Sequence, residues 1–119
     1  MSPRSSVLLI IEHDLSVRQL YSRTLREPYI LIEAQNAAEC VHAFANHDIG
    51  TVIIEPHRPD GFGDALMQLV RTHCTPSNIP IIVCSVLDAS LDPQHNGLYK
   101  HLVKPVAPER LRAEMQRII

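Results

Sequence analysis

Val52-Ile53-Ile54-Glu55 is a run of three β-branched apolar residues closed by a carboxylate, and Pro56-His57-Arg58-Pro59-Asp60-Gly61-Phe62-Gly63 follows it. The run is too short for a buried helix. Three successive apolar positions fit a strand covered on both faces, as in a parallel sheet. The Pro- and Gly-rich stretch after it is a loop. Glu55 then stands at a strand's carboxyl end, the edge where open α/β sheets place their sites.

Working outward, the same pattern recurs. Val7-Leu8-Leu9-Ile10-Ile11 is a second doubly apolar strand, and Glu12, His13 and Asp14 close it. Val17, Leu20, Tyr21, Thr24 and Leu25 share one helical face, with Ser16 or Asp14 as N-cap and Pro28 as the stop. Tyr29 to Glu33 reads as strand two. Asn36 caps a second helix with an apolar stripe at Ala37, Cys40, Val41 and Phe44, ended by Asp48 and Gly50. A third helix begins near Asp64 and turns Phe62, Leu66, Leu69 and Val70 inward. Pro80 to Cys84 is strand four, with Ser85 at its carboxyl end.

Between Val86 and Gly97, Asp92-Pro93 and Asn96-Gly97 interrupt the pattern, so any helix there is short. Tyr99 to Val103 is strand five, ending in Lys104-Pro105. Pro108 opens a last helix with core residues Leu111, Met115, Ile118 and Ile119. Strands alternating with helices imply right-handed crossovers and a parallel sheet. The expected fold is therefore α/β: a three-layer, doubly wound, five-stranded parallel sheet, flavodoxin-like, with 2-1-3-4-5 taken from the two common strand orders. In that order strands one and three are neighbours. Glu12, His13, Asp14 and Glu55 meet in one crevice, and Ser85 and Lys104 reach the same rim.

Composition bounds the function. The 119 residues make one domain, with residues 1–6 expected as a disordered tail. A net charge of −2 provides no basic field for nucleic acid. No apolar run approaches the ~20 residues of a membrane span, and the five apolar residues after the N-terminus are too few for a signal peptide. Three cysteines without C-x-x-C spacing point to reduced thiols and a cytoplasmic location.

With these residues in order, the chain resembles a receiver domain of bacterial two-component response regulators, from Val7 to Ile118. The resemblance implies an Mg²⁺-binding acidic pair at Glu12 and His13. It implies a phosphoacceptor at Glu55, with Pro59 and Gly63 at the family's spacing. It implies a phosphate-sensing hydroxyl at Ser85, a switch aromatic at His101, and the family's Lys-Pro at Lys104-Pro105. The departures bear on chemistry. Glu55 carries its carboxylate one methylene beyond an Asp, which spoils in-line phosphoryl transfer. His13 replaces an oxygen ligand that Mg²⁺ demands. Val86 is bulkier than the usual neighbour, and His101 is more polar than Tyr or Phe. The stretch from Ser85 to Lys104 is about three residues short for the family, a loss that falls in a shortened fourth helix.

The resemblance thus implies a degenerate receiver: no conventional enzyme, no catalytic residue, and signalling through protein contacts without phosphorylation. The alternatives are a working phosphoacceptor of a phosphorelay and a small-molecule-binding flavodoxin-like module. The second lacks a Gly-rich phosphate loop after strand one. Glu55 is either a built-in mimic of the phosphorylated state or a carboxylate that Lys104 neutralises. Glu12, His13, Glu55 and His57 form a mixed N/O set suited to Zn²⁺ or Ni²⁺. The plainer expectation is that no metal binds, with His57 in solvent and His13 in a local hydrogen bond. Mg²⁺ is expected only in a site that still works. Expected partners are a protein or a fused output or kinase domain, with a homodimer as a further option. The contact surface is expected through Leu98, Tyr99, Arg110 and Glu114.

Overall fold

The computed structural model describes residues 5–86 and 100–118. The order is β1 (Val7–Ile11), α1 (Leu15–Leu25), β2 (Ile30–Ala34), α2 (Ala37–Asn46), β3 (Ile49–Ile54), α3 (Gly63–Cys74), a 3₁₀ turn (Thr75–Ser77), β4 (Ile81–Ser85), β5 (Lys100–Val103) and α4 (Pro108–Gln116). The expected short helix after Val86 falls in residues 87–99, outside the described residues, so α4 here is the helix after β5.

All strand pairs are parallel, in the order β2-β1-β3-β4-β5. That is the flavodoxin-like arrangement the sequence predicts. Strand alternation sends successive side chains to opposite faces. Leu9, Ile11, Val52, Ile54 and Val83 join one core with Cys40 and Ala43 of α2 and Leu66, Met67 and Val70 of α3. Leu8, Ile10, Ile53, Ile82 and Cys84 join the other with Tyr21 and Leu25 of α1 and Leu111 and Met115 of α4. Every β3 residue is buried, as a central strand between two helical layers requires. Among the described residues no helix is long and apolar enough to cross a membrane.

Several local expectations are corrected. Asp14, and not Ser16, caps α1: its Oδ1 accepts the Ser16 and Val17 N–H groups at 2.9 and 3.3 Å. Gly50 does not stop α2; it lies within β3, where a Cβ would run into the Ser5 backbone. Val41 is exposed at 46%, and Ala43 takes the buried place on α2. Phe62 is 65% exposed because it precedes the first turn of α3, so Met67 fills the core instead. Of the expected tail, Ser5 donates its hydroxyl to the Asp48 carbonyl at 2.6 Å, and the Ser6 carbonyl accepts the Ile30 N–H at 3.0 Å. Glu114, expected on the partner surface, is buried at 4% on α4. Its Oε1 lies 3.2 Å from Arg110 Nε and 4.0 Å from both Lys100 Nζ and Arg117 Nη1. Leu98 and Tyr99 lie outside the described residues.

Candidate functional site: a carboxylate cradle at the sheet's carboxyl edge

Parallel strands end on one edge, so the polar residues that close β1, β3, β4 and β5 converge there. Glu12 and Glu55 are 1% and 2% exposed. Two carboxylates buried side by side need compensating donors. Lys104 supplies the shared one. Its ammonium pairs directly with Glu12 Oε1 and sits 3.4 Å from Glu55 Oε1. The expected Glu55–Lys104 pair is therefore a three-membered arrangement, in which Glu12 is the lysine's nearer partner.

Backbone amides complete each carboxylate. Glu12 Oε2 accepts the Asp14 N–H at 3.1 Å and lies 3.3 Å from His13 Nδ1. Glu55 Oε2 accepts the His57 N–H at 3.0 Å, and Glu55 Oε1 accepts the Val86 N–H at 3.3 Å. Three donors on three chain segments thus aim at one point beyond the end of β3, and the longer glutamate side chain reaches it. The Glu55 carboxylate occupies that point. Formally the pair carries two negative charges against one positive.

Lys104 is placed from the backbone up. Its N–H donates to the Ser85 carbonyl at 2.7 Å, continuing the β4–β5 ladder one step beyond the strand, and the Lys104-Pro105 peptide is cis. Ser85 is buried at the end of β4. His101 pairs in register with Val83 and points to the face opposite Leu102, half-buried. The edge carries a cavity of about 440 Å³ lined by His13, Asp14, Val17, Glu55, His57, Arg58, Pro59, Val86 and Lys104. His57 contributes its backbone N–H to Glu55, and the residue is exposed. Among the described residues no group of three or more His, Cys, Asp or Glu side chains is gathered to hold a metal.

Sequence reasoning missed three supports of this site. Arg18, buried on α1, donates from Nη1 to the Glu12 carbonyl at 2.8 Å and from Nε to Glu33 at 3.2 Å. Beneath the rim, Tyr21 shares a side-chain hydrogen bond with Cys84. Burial pushes the Cys84 thiol up to about 12, and burial also drives the Tyr21 phenol upward, with the Cys84, Glu12 and Glu55 charges adding to it. The layer under the carboxylates is therefore polar but neutral. The third is Arg58, which grips Asp60 through Nε at 3.1 Å and Nη2 at 2.7 Å. Asp60, expected as a solvated loop residue, is held down at about 2 by those bonds. The spacing Arg58-x-Asp60 inside a Pro-flanked loop was the available signal.

Comparison with known proteins agrees with this fold. No family model matches the chain. The chain is 30% identical over 117 residues to the two-component response regulator-like protein APRR9 of Arabidopsis thaliana, across 93% of this chain and 25% of that protein. It is 26% identical over 114 residues to the transcriptional regulatory protein CitT of Bacillus subtilis, across 88% of this chain and 48% of that one. It thus spans a quarter to a half of the length of these curated relatives. Among solved structures, the chemotaxis protein CheY4 of Vibrio cholerae superposes with a TM-score of 0.83 at 24% identity, covering 97% of this chain and 99% of that one. A two-component response regulator from Clostridium difficile superposes at 0.80 with 22% identity, covering 94% and 93%. The sheet order and these superpositions define a flavodoxin-like fold. The chain is a receiver-type domain, akin to those of two-component response regulators.

Proposed function

We propose that this receiver-type domain signals without phosphorylation, the Glu55 carboxylate standing permanently where a working receiver holds a transient anion. The observation that carries this reading is that both Glu55 oxygens are already engaged. Lys104 and the Val86 N–H hold one, and the His57 N–H holds the other. Attack on phosphorus needs a free carboxylate oxygen in line with the leaving group, and a cation to neutralise developing charge. Here the donors that would steady a phosphoryl group steady the nucleophile itself.

The residues present do not fit Mg²⁺. That ion requires near-octahedral oxygen coordination. Glu12 spends one oxygen on Lys104 and the other on the Asp14 N–H, and its neighbour His13 offers nitrogen. The Lys104 ammonium is the cation that Glu12 and Glu55 share. The domain accordingly acts as a signalling module and not as an enzyme, through contacts with a partner protein or a fused output or kinase domain. The relatives' greater length supports such an arrangement.

Intact mass after incubation with acetyl phosphate and Mg²⁺ tests the reading. The expected result is an unmodified chain. A hydroxylamine-labile species heavier by about 80 Da, the mass of an added phosphoryl group, would overturn it. A Glu55→Asp, His13→Asp double variant restores the family's ligand types and serves as the reference for Mg²⁺-dependent change.

A further inference from the structure

The loop from 56 to 62 has almost no secondary-structure bonding of its own. Pro56 and Pro59 lack N–H groups. The described bonds that its own backbone N–H groups make inside it are the Gly61 N–H to the Arg58 carbonyl at 3.3 Å and the Phe62 N–H to Asp60 Oδ1 at 3.0 Å. Gly61 adopts φ +79°, a turn conformation suited to glycine. At the far end, a Cβ on Gly63 would collide with the Pro56 carbonyl, so the loop is drawn closed. Yet this loop must hold the His57 N–H on Glu55.

We propose that Arg58 is the positioning residue of the carboxylate cradle: its forked grip on Asp60 closes the loop and aims the His57 N–H at Glu55 Oε2. The inference rests on reading Glu55 as the occupant of the cradle, and is independent of which partner the domain contacts. An ion pair two residues apart in an exposed loop ordinarily contributes little. This one differs because the Arg58 side chain is 6% exposed. Among the described residues its Nη1 is buried without a hydrogen-bond partner, and Asp60 accepts from the other two nitrogens. Releasing Asp60 would leave a covered guanidinium unpaired, which disfavours any open form of the loop. Asp60 Oδ1 also accepts the Phe62 N–H, so one carboxylate ties the inward anchor at Arg58 to the start of α3. His57 lies between the fixed end of β3 and this anchor.

Amide hydrogen exchange and proton shifts in the whole chain test the proposal, comparing His57 with Val86 and Lys104. In Arg58→Gln, the His57 amide should exchange about tenfold faster and move upfield. Val86 and Lys104, held from β4 and β5, should keep their protection. Arg58→Lys, which keeps the charge but loses the fork, should fall between. An unchanged His57 would overturn the proposal, and so would equal loosening of all three amides, which marks a merely structural role. If Arg58→Gln does not fold, Asp60→Asn at the exposed end of the pair gives the same readout, and an unchanged His57 there overturns it equally. An acyl phosphate on the unmodified chain would defeat the functional reading and leave this measurement intact.

Discussion

Two buried acidic clusters in this domain are built in opposite ways. At the carboxyl edge, Glu12 and Glu55 share one ammonium, from Lys104, and take their remaining bonds from backbone N–H groups of Asp14, His57 and Val86. On α4, a single carboxylate, Glu114, faces three cationic side chains that are 37–68% exposed. The edge carries an excess of negative charge and the α4 cluster an excess of positive charge. Backbone donors are fixed by the fold, so they set where a charge sits as well as neutralising it. Long exposed side chains neutralise without fixing geometry, and water and salt compete with them. The edge is therefore the cluster able to hold one defined state.

Removing the shared cation should produce the largest effect. Lys104→Met leaves two buried carboxylates without their ammonium and should cost about 3–5 kcal/mol of stability, the usual penalty for breaking a buried pair. Urea unfolding measures it. Adding Glu12→Gln to that variant should recover part of the loss, because one uncompensated charge goes with it. A Lys104→Met cost no larger than that of a surface pair would break the contrast between the two clusters.

Alkaline pH gives the next effect, because the two cores hold buried neutral thiols, and one of them, Cys84, lies beneath the edge. Burial raises Cys84 and Cys74 to about 12 and Cys40 to about 11, from an ordinary value of 9.0. Above pH 9 the unfolded chain releases these protons while the folded chain keeps them. The unfolded state then binds fewer protons, and stability falls as pH rises. The loss should begin near pH 9 and continue to about pH 12, with Tyr21 adding to it. Unfolding free energies across that range check the sign, and Cys84→Ala should flatten the curve. An upward slope would contradict the buried neutral thiols, and an unchanged curve in Cys84→Ala would contradict the neutral layer beneath the edge.

The smallest effect belongs to α4. Glu114→Gln should cost about 1 kcal/mol or less, since its cationic partners are solvated. Added salt should shrink that cost by screening the three cations left facing one another, whereas the Lys104→Met cost should barely respond. Equal salt dependence of the two variants would show that exposure of the partners does not separate the clusters.

Residue pattern by itself determined the strands and their parallel sense, and the order 2-1-3-4-5, one of two common choices, then sets the edge on which Glu12, Glu55, Ser85 and Lys104 meet. A fully apolar run such as Val52-Ile53-Ile54 has only one stable placement, between two layers, and a parallel strand delivers its last residue to the common edge. Helix faces were less legible. Val41 and Phe62 are as apolar as the residues that replace them in the core. Only the docking rotation of α2 and the start of α3 decides between Val41 and Ala43, or Phe62 and Met67. The partners within the site were also beyond the sequence. Lys104 could be matched to Glu55 by type, but its closer approach to Glu12 follows from where β5 leaves the sheet. The donors that hold Glu55 are the N–H groups of His57 and Val86, which every non-proline residue possesses. Side-chain identity cannot signal a backbone group, so the cradle exists only once the tertiary structure brings three separate segments to one point.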